Sequence, residues 1–371
     1  MEVRLVAAGE EEACNAFHNR FHLENRTLLQ WRWEFASNPF GRTSIPYAVV
    51  RDGGNIVGTQ AFIPIRMIDR NGIYWTAKSE ETLVDPDCRG QGLFEKMYEL
   101  LFRYAEEQSF AYIWGFSPAI KAFTRLGFTV PGVTQQLFIP FSSRSVSTML
   151  TKQRGGETGS ARAQMKSHII RLGSVAARMI SVAKITLTNR RLPSGLQIRT
   201  MAESNPQIGI LCQQFIEQWG GTTIYRDADY MRWRLFENPY VRGIVRGIYE
   251  RDQLLGWVVY TLGDDGLGYL VDIMVGCDAT RYEPSNLVRA LLLDAVLGTR
   301  NMGATGIRGW RVNEHPFDRL VCKTARQIGF YHIKHGHAMV KYDCPAARAR
   351  VAHEKFDDWY VTRIYTEGVL S

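Results

Sequence analysis

Apolar positions alternate with polar ones in three runs near the start of the chain. Ile45 to Arg51, Ile56 to Ile68 and Ile73 to Val84 read as strands, separated by the turn sequences Asp52-Gly53-Gly54-Asn55 and Asp69-Arg70-Asn71-Gly72. Two such turns make an antiparallel meander, and Pro86 ends its third strand. From Leu93 the period changes: Met97, Leu100, Leu101 and Tyr104 fall on one helical face, and Phe110 to Phe116 then reads as a buried strand. Strand, helix and strand form a βαβ crossover appended to the meander. The expected class is α+β, a mixed and mostly antiparallel sheet flanked by helices.

The pattern then repeats. Trp31-Arg32-Trp33 leads to Asn38-Pro39, and Trp233-Arg234-Leu235 leads to Asn238-Pro239. Each is followed by a strand, a turn and a second strand beginning Ile56-Val57-Gly58 or Leu254-Leu255-Gly256. Later, Arg125-Leu126-Gly127-Phe128 corresponds to Gln327-Ile328-Gly329-Phe330. Aligning Trp31 with Trp233 and Phe128 with Phe330 gives one offset, 202, which points to duplication. Two domains are expected, residues 1–140 and 196–371. Residues 141–195 bridge them, first Ser- and Gly-rich, then amphipathic from Ala163 to about Leu187, and closing at Leu192-Pro193-Ser194-Gly195.

Composition agrees with this division. A chain of 371 residues suits two domains, and 45% hydrophobic with 22% charged residues is the balance of a soluble globular protein. The net charge of +8 belongs to the bridge: between Phe141 and Ser194 lie ten basic residues and one acidic residue, leaving −1 for the rest. The folded domains are therefore not expected to bind nucleic acid, and the bridge is either a solvated connecting helix or a contact for an anionic membrane or a nucleotide. Glu10, Glu11 and Glu12 stand where a signal peptide would need an apolar core, and no run approaches the roughly 18 apolar residues of a membrane span, so a cytoplasmic protein is expected. Six cysteines without a C-x-x-C spacing argue for free thiols and against a metal site.

Candidate chemistry lies between the third strand and its helix, in Val84-Asp85-Pro86-Asp87-Cys88-Arg89-Gly90-Gln91-Gly92-Leu93-Phe94. Gly90 and Gly92 let the backbone approach a ligand, the helix start directs N–H groups at it, and Arg89 adds a positive charge. That combination suits a pyrophosphate.

On these residues the chain resembles the GNAT superfamily of acyl-CoA-dependent acyltransferases, whose cofactor motif corresponds to Arg89-Gly90-Gln91-Gly92-Leu93-Phe94 and whose later signature corresponds to Ala122-Phe123-Thr124-Arg125-Leu126-Gly127-Phe128. The resemblance covers residues 1–140 and, more weakly, 196–345, so the expected fold is two tandem GNAT-like domains. It implies acyl-CoA, acetyl-CoA or a longer chain, as cosubstrate and no metal. It also implies that the loop holds the CoA pyrophosphate, that pantetheine runs between Thr82–Asp85 and Tyr112–Gly115, and that a backbone N–H near Val84, at a bulge, serves as oxyanion donor. Two residues depart from the family pattern: Phe94 replaces a small residue, and Phe123 stands where many members carry an acidic tyrosine hydroxyl. In the second copy, Gly276-Cys277-Asp278-Ala279-Thr280-Arg281-Tyr282-Glu283-Pro284 lacks closely spaced glycines, which confines CoA to the first copy.

Attack of an amine on a thioester needs a proton acceptor. Glu80 and Glu81 precede Val84 on the same strand and are expected to face opposite sides, so that each is either a solvated strand-end carboxylate or, for the one facing the cleft, a catalytic or amine-binding group. Asp272 is their counterpart in the second copy, with a structural role favoured. Trp31, Trp33 and Trp233 either pack a helix on the sheet or, with Arg32 and Arg234, meet an anionic acceptor. Arg308-Gly309-Trp310-Arg311 is a second basic-aromatic candidate, of which Trp310 and Arg311 are taken as acceptor contacts. His332, His335 and His337 lack the partners of a metal site. The function expected from the resemblance is N-acylation of a small amine, a nucleotide-linked amino sugar of the dTDP type used for surface polysaccharide. A Fem-type aminoacyl-tRNA transferase and a non-catalytic CoA-binding protein are the alternatives, and the Gly-rich loop favours acyl-CoA transfer over the Fem type.

Overall fold

The computed structural model describes residues 1–22, 25–39, 44–142, 175–176, 179–187, 192, 194–203, 205–276, 282–311, 314–333, 336–347 and 355–366. Its chain divides into two compact units, each assembled from separated segments. The first comprises Met1–Thr134, Gly220–Arg242 and His337–Trp359, the second Gln135–Trp219, Gly243–Gly336 and Tyr360–Ser371.

The first unit is built on β1 (Glu2–Leu5), β2 (Tyr47–Asp52), β3 (Asn55–Asp69), β4 (Gly72–Val84), β5 (Tyr112–Phe116) and β6 (Thr129–Val133). The meander and the crossover form where the alternation placed them. Two further strands join: β9 (Thr223–Ile224) pairs with β3, and β15 (Ala338–Asp343) lies between β5 and β6, giving an eight-stranded sheet of order β1-β2-β3-β4-β5-β15-β6 with β9 off the path. The second unit orders β14 (Tyr331–Ile333), β7 (Gln135–Pro140), β13 (Gly306–Arg311), β12 (Gly268–Val275), β11 (Gln253–Leu262), β10 (Ile244–Glu250) and β8 (Leu196–Thr200). A strand of each sheet thus comes from the far end of the other copy's sequence: β7 follows the first copy yet pairs with β13 and β14, while β15 follows the second and pairs with β5 and β6. Both sheets are mixed; among the described residues the parallel strand pairs are β4–β5 and β12–β13.

On one face of the first sheet packs α3 (Leu93–Glu107), preceded in the chain by α1 (Glu11–Asn19) and α2 (Leu28–Trp31). Its buried stripe of Leu93, Met97, Tyr98, Leu101, Tyr104 and Ala105 meets Ala48, Val50, Phe62, Ala77, Ile113 and Val340. The opposite face carries the tryptophan motifs. Each motif is one helical turn continued as a π-turn, Arg32–Ala36 after α2 and Arg232–Phe236 after Ala228–Met231. Trp33 and Trp233 stack with centroids 5.2 Å apart, and each indole N–H donates to the other's backbone carbonyl, at 2.8 and 2.9 Å. Reciprocal bonding relates the motifs at an offset of 200, so Trp33, not Trp31, matches Trp233, and Asn38 then coincides with Asn238. Of the bridge, helical residues 179–187 are described, and most of the rest lies outside the described residues.

Because β15 supplies Val340, fully buried in the α3 core, and covers the outer edge of β5, residues 1–140 lack part of their own sheet. A fragment of residues 1–140 should show no cooperative urea transition, whereas the full chain should. A sharp transition in the fragment would contradict this.

Candidate active site

The β4–β5 ladder consists of two pairs, Ala77↔Ile113 and Lys78↔Trp114, after which the strands part. Close approach at the fork is possible because residue 115 is glycine; a Cβ there would lie 3.1 Å from the Ser79 carbonyl oxygen. On its other side β4 remains paired with β3 as far as Val84↔Gly58, and Asp85 N–H donates to Val57 at 2.9 Å. Strand alternation turns the Val84 N–H the other way, to the side from which β5 has diverged. Beyond it, Asp85 caps the 3₁₀ turn Pro86–Cys88, and the exposed Arg89, Gly90 and Gln91 lead to Gly92, the N-cap of α3. Gly90 and Gly92 have φ of 79° and 70°, and a Cβ at either would meet nothing within 4 Å, so backbone conformation rather than crowding calls for glycine. Leu93 already belongs to the helix and is buried. Phe94 lies in its first turn, packed on Tyr98 and Phe123 with centroids at 4.9 and 5.8 Å, outside the loop.

The bulge of β4 lies upstream of Val84. Thr59 pairs with Leu83 and Ala61 with Glu80, so Glu81 and Thr82 together oppose Gln60. Glu81 takes a left-handed φ of 59°. The extra residue breaks the period of two, and Glu80 and Glu81, expected on opposite faces, enter one cluster of charges on the face away from α3.

In that cluster the Glu81 carboxylate accepts two bonds from Arg26, at 2.8 and 2.9 Å, one from the Tyr47 hydroxyl at 3.1 Å, and one from His18 Nδ1, which lies 3.1 Å from each oxygen. Burial disfavours the charge, but the bonds from His18 and Arg26 overcome it and hold the carboxyl down at about 2. Glu34, buried and pushed up by that burial, accepts from Arg26 at 3.4 Å and from Tyr240 at 3.2 Å. Glu80 contacts the Lys78 ammonium. Burial drives Lys78 well below and Glu80 well above their ordinary ranges, an effect tempered for Glu80 by the 33% of its side chain that stays open. Sequence reasoning missed His18, Arg26, Glu34 and Lys78; only the helical spacing of α1 and the start of α2 hinted that this segment would face β4.

The other expected residues are scattered. Trp31 is wholly buried against Phe35 and Tyr47, and Arg234 is buried with its guanidinium 5.8 Å from the Trp33 ring, so both serve the interior of the first unit. Arg32 is exposed. In the second unit Trp310 is buried beneath Arg363, and the half-buried Arg311 reaches Glu314. Asp272 accepts from Trp257 at 2.9 Å and Thr362 at 2.7 Å, a structural arrangement. Phe123 is buried in the aromatic cluster and brings no hydroxyl there. His332 contacts Gln135, His337 bonds Thr134 through its backbone, and His335 lies outside the described residues, as do residues 277–281 of the second copy's loop. Among the described residues there is no cluster of metal ligands, and no helix is long and apolar enough to cross a membrane.

The family model described as an acetyltransferase (GNAT) domain matches residues 2–130. Among solved structures, the chain is similar to a GCN5-related N-acetyltransferase from Anabaena variabilis, with TM-score 0.62 and 11% identity over 94% of this chain and 74% of that one. It is also similar to a GCN5-related N-acetyltransferase from Kribbella flavida, with TM-score 0.59 and 12% identity over 95% and 73%. Saccharomyces cerevisiae N-myristoyltransferase with bound myristoyl-CoA and inhibitors gives TM-score 0.59 and 11% identity over 92% and 80%. Identities this low establish the shared fold. No curated protein sequence matches the chain.

The depressed Glu81 carboxyl makes a pH-dependent contribution to stability. Its folded value near 2 lies below the ordinary 4.5, so the contribution is present in full above pH 4.5 and is lost as pH falls through 2. Glu81→Gln should cost about 3–5 kcal/mol at pH 7 by leaving Arg26 buried without its partner. Urea titrations at descending pH should show that difference shrinking below pH 4.5, and a pH-independent difference would contradict the ionic account.

Proposed function

We propose that the protein is an N-acyltransferase that moves an acyl group from CoA to the amine of a small acceptor, by direct attack while both are bound. One observation carries this reading: the β4–β5 gap runs past the outward Val84 N–H into a loop whose two glycines are left-handed and end on the α3 N-terminus. Backbone N–H groups of the loop, the helix dipole and the charge of Arg89 are what a pyrophosphate would use there, and an extended thiol arm would run along the gap. The match of residues 2–130 to the acetyltransferase domain supports the same reading.

For the acceptor, Glu80 is the carboxylate open enough to meet an amine, whereas Glu81 is committed to Arg26, Tyr47 and His18. The nucleotide-linked amino sugar remains the specific candidate to try first. Its ring oxygens lower the basicity of the amine, which eases proton removal. Since Trp31, Trp33 and Trp233 are core residues, Arg32 is what remains exposed of the first tryptophan-arginine motif to meet a diphosphate. Comparing such a conjugate with the free sugar decides the point: equal kcat/KM would remove the nucleotide.

Calorimetry with CoA tests the reading as a whole. One CoA per chain is expected, with Arg89→Ala raising Kd about tenfold through loss of a charge-assisted contact. Gly92→Val should weaken binding further, because a β-branched residue resists the φ of 70°. Two sites per chain, or unchanged affinity in both variants, would sink it.

A further inference from the structure

We propose that His18 is the group that takes the proton from the attacking amine, and that Glu81, fixed by Arg26, is its positioning residue. The inference rests on the acyl-transfer reading and adds to it a residue and a tautomer.

The last turn of α1 is tied to β4 at two points, His18 to Glu81 at 3.1 Å and Arg20 to Asp85 at 3.0 Å. His18 therefore lies alongside residues 81–85, the stretch of β4 that β5 no longer covers. An ionised carboxylate can only accept hydrogen bonds, so in the neutral imidazole the proton sits on Nδ1 and the lone pair on Nε2. His18 Nε2 makes no hydrogen bond among the described residues, and 17% of the side chain is exposed, so the lone pair has no protein donor. Glu81 is itself a weak base, since its charge is already held by Arg26 and the Tyr47 hydroxyl.

The groups around the imidazole are Glu81 on β4, Arg26 before α2, Tyr47 on β2, Cys14 on the same helix and His22, whose ring stacks on that of His18 at 4.0 Å and is kept toward its neutral form by burial and by His18. Glu81, 3.1 Å from Nδ1, is the counter-charge for an imidazolium. In the reaction the amine nitrogen bonds to the thioester carbon, the carbon–sulfur bond breaks with its electron pair going to the CoA thiolate, and the amine proton passes to His18 Nε2. The imidazolium then returns the proton to the thiolate or to solvent. The strained φ of Glu81 fits this role, because the bulge turns its carboxylate toward α1 instead of into the α3 core.

The test uses the full chain with ring-labelled histidine, the His18 resonances being identified by their loss in His18→Gln. Nitrogen spectra at pH 8 should show Nδ1 protonated and Nε2 bare, with that preference lost in Glu81→Gln. With acetyl-CoA and the amine turned over fastest, His18→Gln should lower kcat about 100-fold or more. Its Kd for CoA should stay within twofold, and added imidazole should restore part of the rate in His18→Gly. A proton on Nε2, or wild-type kcat in His18→Gln, overturns the proposal. Should no amine turn over, the tautomer alone decides. Absence of CoA binding in the wild type would instead sink the acyl-transfer reading, which keeps the two failures apart.

Discussion

The arrangement of the first unit's site hangs on the Glu81 carboxylate and the bulge that aims it. A regular β4 would place successive side chains on opposite faces and drive this one into the apolar layer beneath α3. One extra residue opposite Gln60 reverses that direction, at the cost of a left-handed φ of 59°, about 1–2 kcal/mol for a residue with a Cβ. Arg26, His18 and Tyr47 offset the strain with hydrogen bonds to both carboxylate oxygens. They come from three different elements, so the same contacts fix α1, the start of α2 and β2 against the strand.

Around that carboxylate the chain accepts a concentration of charge that a core optimised for stability would avoid. Glu34, Glu80 and Glu81 face Arg26, Lys78 and Arg234, three anions and three cations with most of their surface withdrawn from water. Desolvation opposes every one of them, and packed hydrophobic residues of similar volume would serve stability at least as well. Their retention beside the gap is the kind of local conflict expected where geometry is held for chemistry. Raised Glu34 and Glu80, lowered Lys78 and lowered Glu81 also spread the titration of neighbouring groups apart.

Much of this was legible from local pattern and much was not, for one reason. The strands from Tyr47 to Val84, the helix from Leu93 and the left-handed glycines at 90 and 92 follow from alternation, period and turn chemistry, all short-range properties. The bulge at Glu81 leaves no comparable trace, since it depends on how Thr59 and Ala61 register against Leu83 and Glu80. Nothing local distinguishes Arg26 from other charges in the sequence, and its burial is decided by a strand 55 residues away. The tryptophan repeat shows the same limit. Matching Trp31 with Trp233 is natural when letters are aligned, whereas the two π-turns and the reciprocal Trp33–Trp233 bonds fix the correspondence through the backbone.

The pairing of β15 ties the β4–β5 gap to the C-terminal part of the sequence. β5 forms one wall of the gap and is joined to β4 by only two pairs, so its position depends on its other edge. There β15 pairs with all five residues of β5, from Tyr112↔Asp343 to Phe116↔Met339, and buries Val340 in the α3 core. Lys341 adds its ammonium 4.6 Å from the Tyr112 ring. The family model ends at residue 130, far before β15, so the residues it covers include the loop and both walls but not the strand that braces the second wall. The gap thus depends on more of the chain than the residues that the family model covers. What residues 2–130 take from the C-terminal part of the sequence is a strand, which holds the second wall from its outer edge.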